Sequence, residues 1–230
     1  MSLDQNLVDR LSRAKSWLDA ASVLESKSKP GEIDHHTAFV YRYVAFNSLY
    51  GRWRTEESQR RAKTQFDLFF DNLGRLHSED QSEDGPNRWI LPNALVQCKR
   101  HWVQLIDDEF LDSKGYWDIP EHSENFREKY SSQKSTALRH LDWRNFKPLL
   151  HLIFDRIWVL RNQILHGCAT FGPKSLGWES VERANPVLRA MIPAFRNLME
   201  KYPDVVQWPP IPYPRYGSDQ HVKRPPKSTR

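Results

Sequence analysis

Arg161, Asn162 and His166 are the side chains in this 230-residue sequence whose types and spacing most clearly suggest chemistry. Histidine titrates near neutrality and can move a proton. Arginine presents a fixed, bidentate fork to a phosphate. Asn162 and His166 lie four residues apart, so on a helix they are one turn apart and can touch. Together His166 and Arg161 make a proton-transfer group beside an anion clamp, the pair that acid–base chemistry at a phosphate ester would use. Spacing alone does not decide the matter, because an arginine followed five residues later by a histidine arises about once by chance at this length and composition. A cation snorkelling from the core edge and a histidine capping the last carbonyls of a helix account for the same pair.

Other candidates are less well placed. His35 and His36 follow Asp34, where a metal-ligand reading competes with a capping aspartate and two exposed histidines. His151 and Asp155 have a spacing that can hold a metal, but no further ligand stands at recognisable distance, and a hydrogen-bonded surface pair is the simpler account. Asp107, Asp108 and Glu109 point in different directions on a helix and read as a solvated end. Arg42, Asn47 and Arg52 sit in an early helical stretch from which they could contact substrate; Asn47 reads equally well as a satisfied buried amide. The 9 tryptophans are not interleaved with basic residues as a base-stacking groove requires. Gly-rich phosphate loops, Ser/His/Asp arrangements and zinc-spaced Cys/His clusters are all missing, so neither a metal nor a cofactor is expected.

The elements that must position these residues carry helical periodicity. Leu7, Leu11, Ala14, Leu18 and Val23 mark a first helix over 3–24. Asp34 reads as the N-cap of a second, reaching about Trp53. A third runs from Thr55 to Leu76, followed by a polar loop over 78–87 with Gly85-Pro86. A fourth spans Pro92 to about Leu111, then an irregular stretch with Gly115 and Pro120 leads to a weaker helix over 123–139. The most strongly patterned helix begins near Trp143 and stops at Gly167. The last covers Trp178–Lys201, bent or restarted near Pro186 and Pro193. Nothing reads as a sheet, so the fold class is all-α.

On the 143–167 helix, with Leu150 at zero and about 100° per residue, Ile153, Ile157, Leu160 and Ile164 fall between about 280° and 340°. Phe154, Trp158 and Leu165 extend the apolar arc to about 80°, and Arg161 falls inside it at about 20°. His151, Asp155, Asn162 and His166 lie beyond, between about 100° and 160°. A helix buried on two sides, polar on a third and interrupted by one arginine suggests an interface, with the Phe154/Trp158/Leu165 side as its contact.

Composition limits the alternatives. Of the net charge of +5, all but one unit sits after Asp204, where Arg215, Lys223, Arg224, Lys227 and Arg230 oppose Asp219 alone. Any phosphate contact by the body must therefore come from local arrangement. The chain divides into a helical domain over 1–204 and a Pro-rich basic tail over 205–230, partly disordered but with Trp208, Tyr213 and Tyr216 able to dock. The 2 cysteines, Cys98 and Cys168, suggest no disulfide framework. Without a signal-peptide pattern or a run of roughly 20 apolar residues, a cytoplasmic protein with no membrane contact is expected.

The sequence Val159-Leu160-Arg161-Asn162-Gln163-Ile164-Leu165-His166-Gly167 resembles the Arg-Asn-x-x-x-His signature of the HEPN superfamily. Tyr41-Arg42-Tyr43-Val44-Ala45-Phe46-Asn47-Ser48-Leu49-Tyr50-Gly51 is similar to the early-helix motif of bacterial HEPN proteins. The resemblance covers about 20 residues and implies a HEPN-like bundle, with 112–140 as an inserted segment and the tail outside it. It implies a homodimer with both Arg/His sets lining one cleft, and metal-independent cleavage of RNA. His166 would transfer protons, Arg161 would neutralise the scissile phosphate and Asn162 would orient the pair. A toxin–antitoxin or phage-defence setting, with an inhibitory partner protein, follows from the same resemblance. So does the alternative of a non-catalytic HEPN module binding RNA, a nucleotide or a partner protein. A helical adaptor acting only through its dimer surface is the third reading.

Overall fold

The computed structural model describes residues 4–27, 34–51, 63–82, 89–111, 135–139, 146–167, 170 and 177–211, and every regular element among them is helical. The helices are α1 (Gln5–Lys27), α2 (His35–Tyr50), α3 (Lys63–Ser82), α4 (Ile90–Gln97), α5 (Lys99–Ile106), α6 (Lys147–Leu165) and α7 (Trp178–Lys201), with a 3-10 turn at Glu109–Leu111. A short helical turn occupies 135–139. No helix among the described residues is long and apolar enough to cross a membrane.

Asp34 caps α2 as expected, its carboxylate accepting the Thr37 N–H at 3.0 Å. The helix ends sooner than the sequence suggests, at Tyr50, where the Gly51 N–H closes the last turn on Asn47 O. Two helices interlock most closely with the rest: α2, which pairs with α1, and α7, which packs against α2, α4, α5 and α3. Meanwhile α6 lies on α3 and α5. Pro186 and Pro193 each remove one helical N–H, yet α7 runs unbroken through both. Its buried Val187, Leu188, Met191, Ile192 and Phe195 hold those turns from the outside.

The expected 92–111 helix is divided at Cys98. The indole N–H of fully buried Trp102 takes the Leu95 carbonyl at 2.9 Å, an acceptor the helical ladder would otherwise use. Expected to end at Leu76, α3 instead continues through Ser82 into the stretch read as a loop. Asp80, fully buried, is the reason. One of its carboxylate oxygens accepts the N–H groups of Trp89 (2.9 Å) and Ile90 (3.0 Å), and the other meets Lys201 Nζ at 3.0 Å. It thus caps α4, ties α3 to the end of α7, and holds Trp89 in a left-handed conformation with φ 76°.

The first part of the Pro-rich segment docks, as expected for Trp208. Val206, Trp208 and Ile211 are buried on the body, so the domain extends at least to residue 211. The expected third-helix start at 55–62, most of the 123–139 helix and the remainder of the tail lie outside the described residues. Replacing Asp80 by Ala takes the acceptor away from two N–H groups at the start of α4 and the ion-pair partner away from Lys201, and leaves a gap in a fully buried position. The expected cost is about 3 kcal/mol, roughly 6–12 °C in Tm. A melting curve that coincides with the unmodified protein's would remove this role.

Candidate functional site

Where Arg161 sits is decided by two helices. It lies half-buried on α6, its guanidinium carbon 5.7 Å from the ring centroid of Tyr43 on α2, within cation–π range. Its Nη1 donates to Asn162 Oδ1 at 2.8 Å. Its Nε is buried without an acceptor. Tyr43 is buried, and its hydroxyl engages Tyr50, which in turn donates to Asn47 Oδ1. Burial pushes the Tyr43 phenol up from its usual range; the Tyr50 hydrogen bond and the Arg161 charge oppose this without cancelling it. The result is a cation held on one side by an aromatic face and on another by an amide.

His166 is at the surface and forms the C-cap of α6, its backbone N–H bonding Asn162 O at 2.9 Å. Gly167 then turns left-handed, with φ 74°, and ends the helix where the sequence places the stop. The His166 side chain makes no hydrogen bond, ion pair or ring contact among the described residues. Asn162, expected on the polar side, is buried.

The structure gives Arg42 a different place. It is buried in an ion pair with Glu25 at 2.5 Å and donates to Asn185 Oδ1 at 2.7 Å, while Asn185 donates to His35 O at 2.8 Å. Burial alone would raise the Glu25 carboxyl, but Arg42 and Arg189 together hold it below the ordinary value. All of these contacts join α1, α2 and α7, so Arg42 is a structural cation and not a substrate contact. Asn47 does join the Arg161 neighbourhood, though with its carbonyl oxygen already taken by Tyr50. Arg52 lies outside the described residues.

The two-sided burial of α6 is real, but one side differs from expectation. Phe154 belongs to the core, while Trp158 is half-buried and Leu165 is 53% exposed. The second buried side is formed by Arg156, Val159 and Gln163, whose polar groups bond the carbonyls of Leu111 (3.0 Å) and Phe110 (2.7 Å). Asp108 is no solvated helix end, because it accepts the Ser180 hydroxyl at 2.5 Å and lies 3.8 Å from Arg183. His36 is buried against Trp178, not exposed, and His151 pairs loosely with Asp67 at 3.4 Å. No group of three or more His, Cys, Asp or Glu side chains among the described residues could hold a metal. Cys98 is buried, its thiol pushed up to about 12 by that burial, and is inert as a nucleophile.

Sequence reasoning passed over Tyr43 and Tyr50 as site residues. Both lie inside the quoted 41–51 stretch, one turn before Asn47 and three residues after it, and a polar tip on each of two aromatics was the available signal. A separate open groove of about 500 Å³ runs between α4–α5 and α7, lined by Asn93, Gln97, His101, Pro186, Pro193 and Asn197 among others, and does not reach Arg161. No protein-family model, no curated protein and no solved structure matches the chain.

Burial holds His36, His101 and His151 below the ordinary imidazole value of 6.5, against the pull of Asp34, Glu182 and Asp67 respectively. The unfolded chain takes up protons at the ordinary value while the folded one resists. The stability due to these groups is therefore complete above pH 6.5 and lost as pH falls from there towards the lowered folded values. Tm is expected to fall between pH 7.5 and about 5.5, and the fall should be shallower in a His36→Gln variant. A flat or rising Tm across that window would contradict the assignment.

Proposed function

We propose that the chain is a metal-independent endoribonuclease of HEPN type. The observation that carries this reading is that the two resembling stretches meet in space: Arg161, from the 159–167 stretch, lies over the ring of Tyr43, from the 41–51 stretch. A bundle that brings an arginine to its surface on an aromatic and amide cradle suits a charge that must be met without rearrangement. In this reading the ribose 2′-oxygen attacks the adjacent phosphorus and the bond to the 5′-oxygen breaks. His166 handles the proton that leaves the 2′-hydroxyl or the one that arrives at the 5′-oxygen. Arg161 neutralises the charge gathering on the phosphate, with Asn162 fixing its Nη1. The products are a 2′,3′-cyclic phosphate and a 5′-hydroxyl.

One chain supplies one such set, so we assign the second set to a second copy across the α6 face that bears Trp158 and Leu165. A non-catalytic HEPN module that binds RNA, a nucleotide or a partner protein is the second reading. It is favoured by one observation: no described residue orients the His166 imidazole, and general acid–base work needs a positioned group.

The discriminating experiment incubates the protein with tRNA and structured RNA in EDTA. Cleavage with cyclic-phosphate ends is expected, reduced by about 100-fold or more in Arg161→Ala and in His166→Ala. Wild-type rates in both variants would refute the catalytic assignment. RNA left whole but retained, with retention lost in Arg161→Ala, would establish the binding module instead.

A further inference from the structure

Arg10, Tyr50, Phe69, Trp208 and Pro209 line a small void where four stretches distant in sequence converge. Arg10 is fully buried, and three carbonyls accept from it: Leu49 O at 2.8 Å and Gly51 O at 2.6 Å from Nη1, and Pro209 O at 2.7 Å from Nη2. The first two belong to the end of α2, the negative pole of that helix. The third belongs to the segment that follows α7. Nη1 and Nη2 are met while Nε is buried without an acceptor, so loss of Pro209 O would strand a second donor of the same cation, and the docked segment completes what holds the end of α2 in place. Trp208 covers the arrangement, 5.9 Å from the Arg10 guanidinium and 6.1 Å from the Phe69 ring.

Tyr50 sits between the two clamped α2 carbonyls. Its ring packs on Phe46 and Phe66 at 4.6 and 4.7 Å, and its hydroxyl engages Asn47 and Tyr43. Tyr43 lies under Arg161. An unbroken set of contacts therefore runs from the 206–211 segment through Arg10 and Tyr50 to the candidate phosphate-binding cation. We infer that residues 206–211 are a strap that positions Arg161 through Arg10 and Tyr50, so that undocking it loosens the Arg161 cradle. The consequence for RNA rests on the reading of Arg161 proposed above, whereas the coupling itself does not. The strap is fastened firmly but not maximally, because the Trp208 indole N–H is buried without an acceptor.

The test uses the full chain with Trp208→Ala, Trp208→Phe and the milder Ile211→Ala. The Arg161 side-chain Nε–H resonance, assigned through an Arg161→Lys variant, is followed with amide exchange over 47–51 and over 94–97. Trp208→Ala should move the Arg161 signal towards its free-arginine position and speed exchange over 47–51 by about 10-fold or more, leaving 94–97 within about 2-fold. Trp208→Phe should restore both readouts, and Ile211→Ala should shift them part of the way. An Arg161 signal unchanged in the folded Trp208→Ala and Ile211→Ala proteins would overturn the strap. Should Trp208→Ala not fold, Ile211→Ala decides alone. A displaced Arg161 signal in the variants, where the unmodified protein itself leaves RNA whole, would support the strap while sinking the nuclease reading. RNA cleavage with an unmoved Arg161 signal would do the reverse.

Discussion

The contact between Phe46 and Phe154, with ring centroids 4.5 Å apart, sets the spacing on which the rest of the molecule depends. Both rings are essentially inaccessible, and both also touch Phe70 or Phe69 of α3 and Phe195 of α7, so four helices meet at one aromatic cluster. Rings at these separations attract beyond their burial and accept few alternative arrangements. The same two helices meet again where Arg161 lies over Tyr43; counted from the Phe46–Phe154 contact, Tyr43 is three residues back on α2 and Arg161 seven residues forward on α6. The steps along the axes are unequal, about 4.5 Å against about 10.5 Å. A long side chain on a helix leans towards the N-terminus, and Arg161 closes the difference by reaching back over Tyr43.

An apolar cluster of this kind holds helices together without saying where their ends attach. Buried charges do that. Arg10 joins α1 to the end of α2 and to a segment 199 residues away. Arg42 joins α2 to α1 and α7, and Asp80 joins α3 to α4 and the end of α7. Arg156 joins α6 to the 3-10 turn through Leu111 O. Each is charged and nearly inaccessible, and each therefore tolerates only the arrangement that supplies all of its partners. Mispairing of helix ends would leave a bare charge in the core. A hydrophobic interior alone imposes no comparable penalty.

The difference between these two kinds of interaction explains what could be read from the residues in order. Helical class, the Asp34 cap and the Gly167 stop are local properties, set within one turn of the chain, and they were legible. The end of α3 and the break at Cys98 were not, because each is decided by a partner between 7 and 121 residues away. Arg42 was misread for the same reason: an arginine in a motif-like stretch looks available until Glu25 and Asn185 are seen to occupy it. Arg161 stood out because a charge on an apolar arc is costly and so calls for a partner. Which aromatic provides that partner is not encoded locally, since Tyr43 has the same helical spacing as the core residues Phe39 and Phe46.

The two halves of the Arg161/His166 pair are built to different standards. The arginine has its orientation fixed from two sides before any ligand arrives, and the entropy of ordering a long side chain is already spent in folding. Among the described residues the imidazole is held only through its own backbone, at the last turn of α6. That end of the helix also carries the exposed Leu165 and, two turns earlier, the half-buried Trp158. Surface that binds through such residues comes to lie beside His166 when it is covered, and covering it would restrict the ring. Within the reading proposed here, the described residues therefore hold a finished phosphate clamp and leave the proton-transfer group unfinished. On that reading contact at the α6 end completes the second, and association would then be part of the chemistry and not an accessory to it.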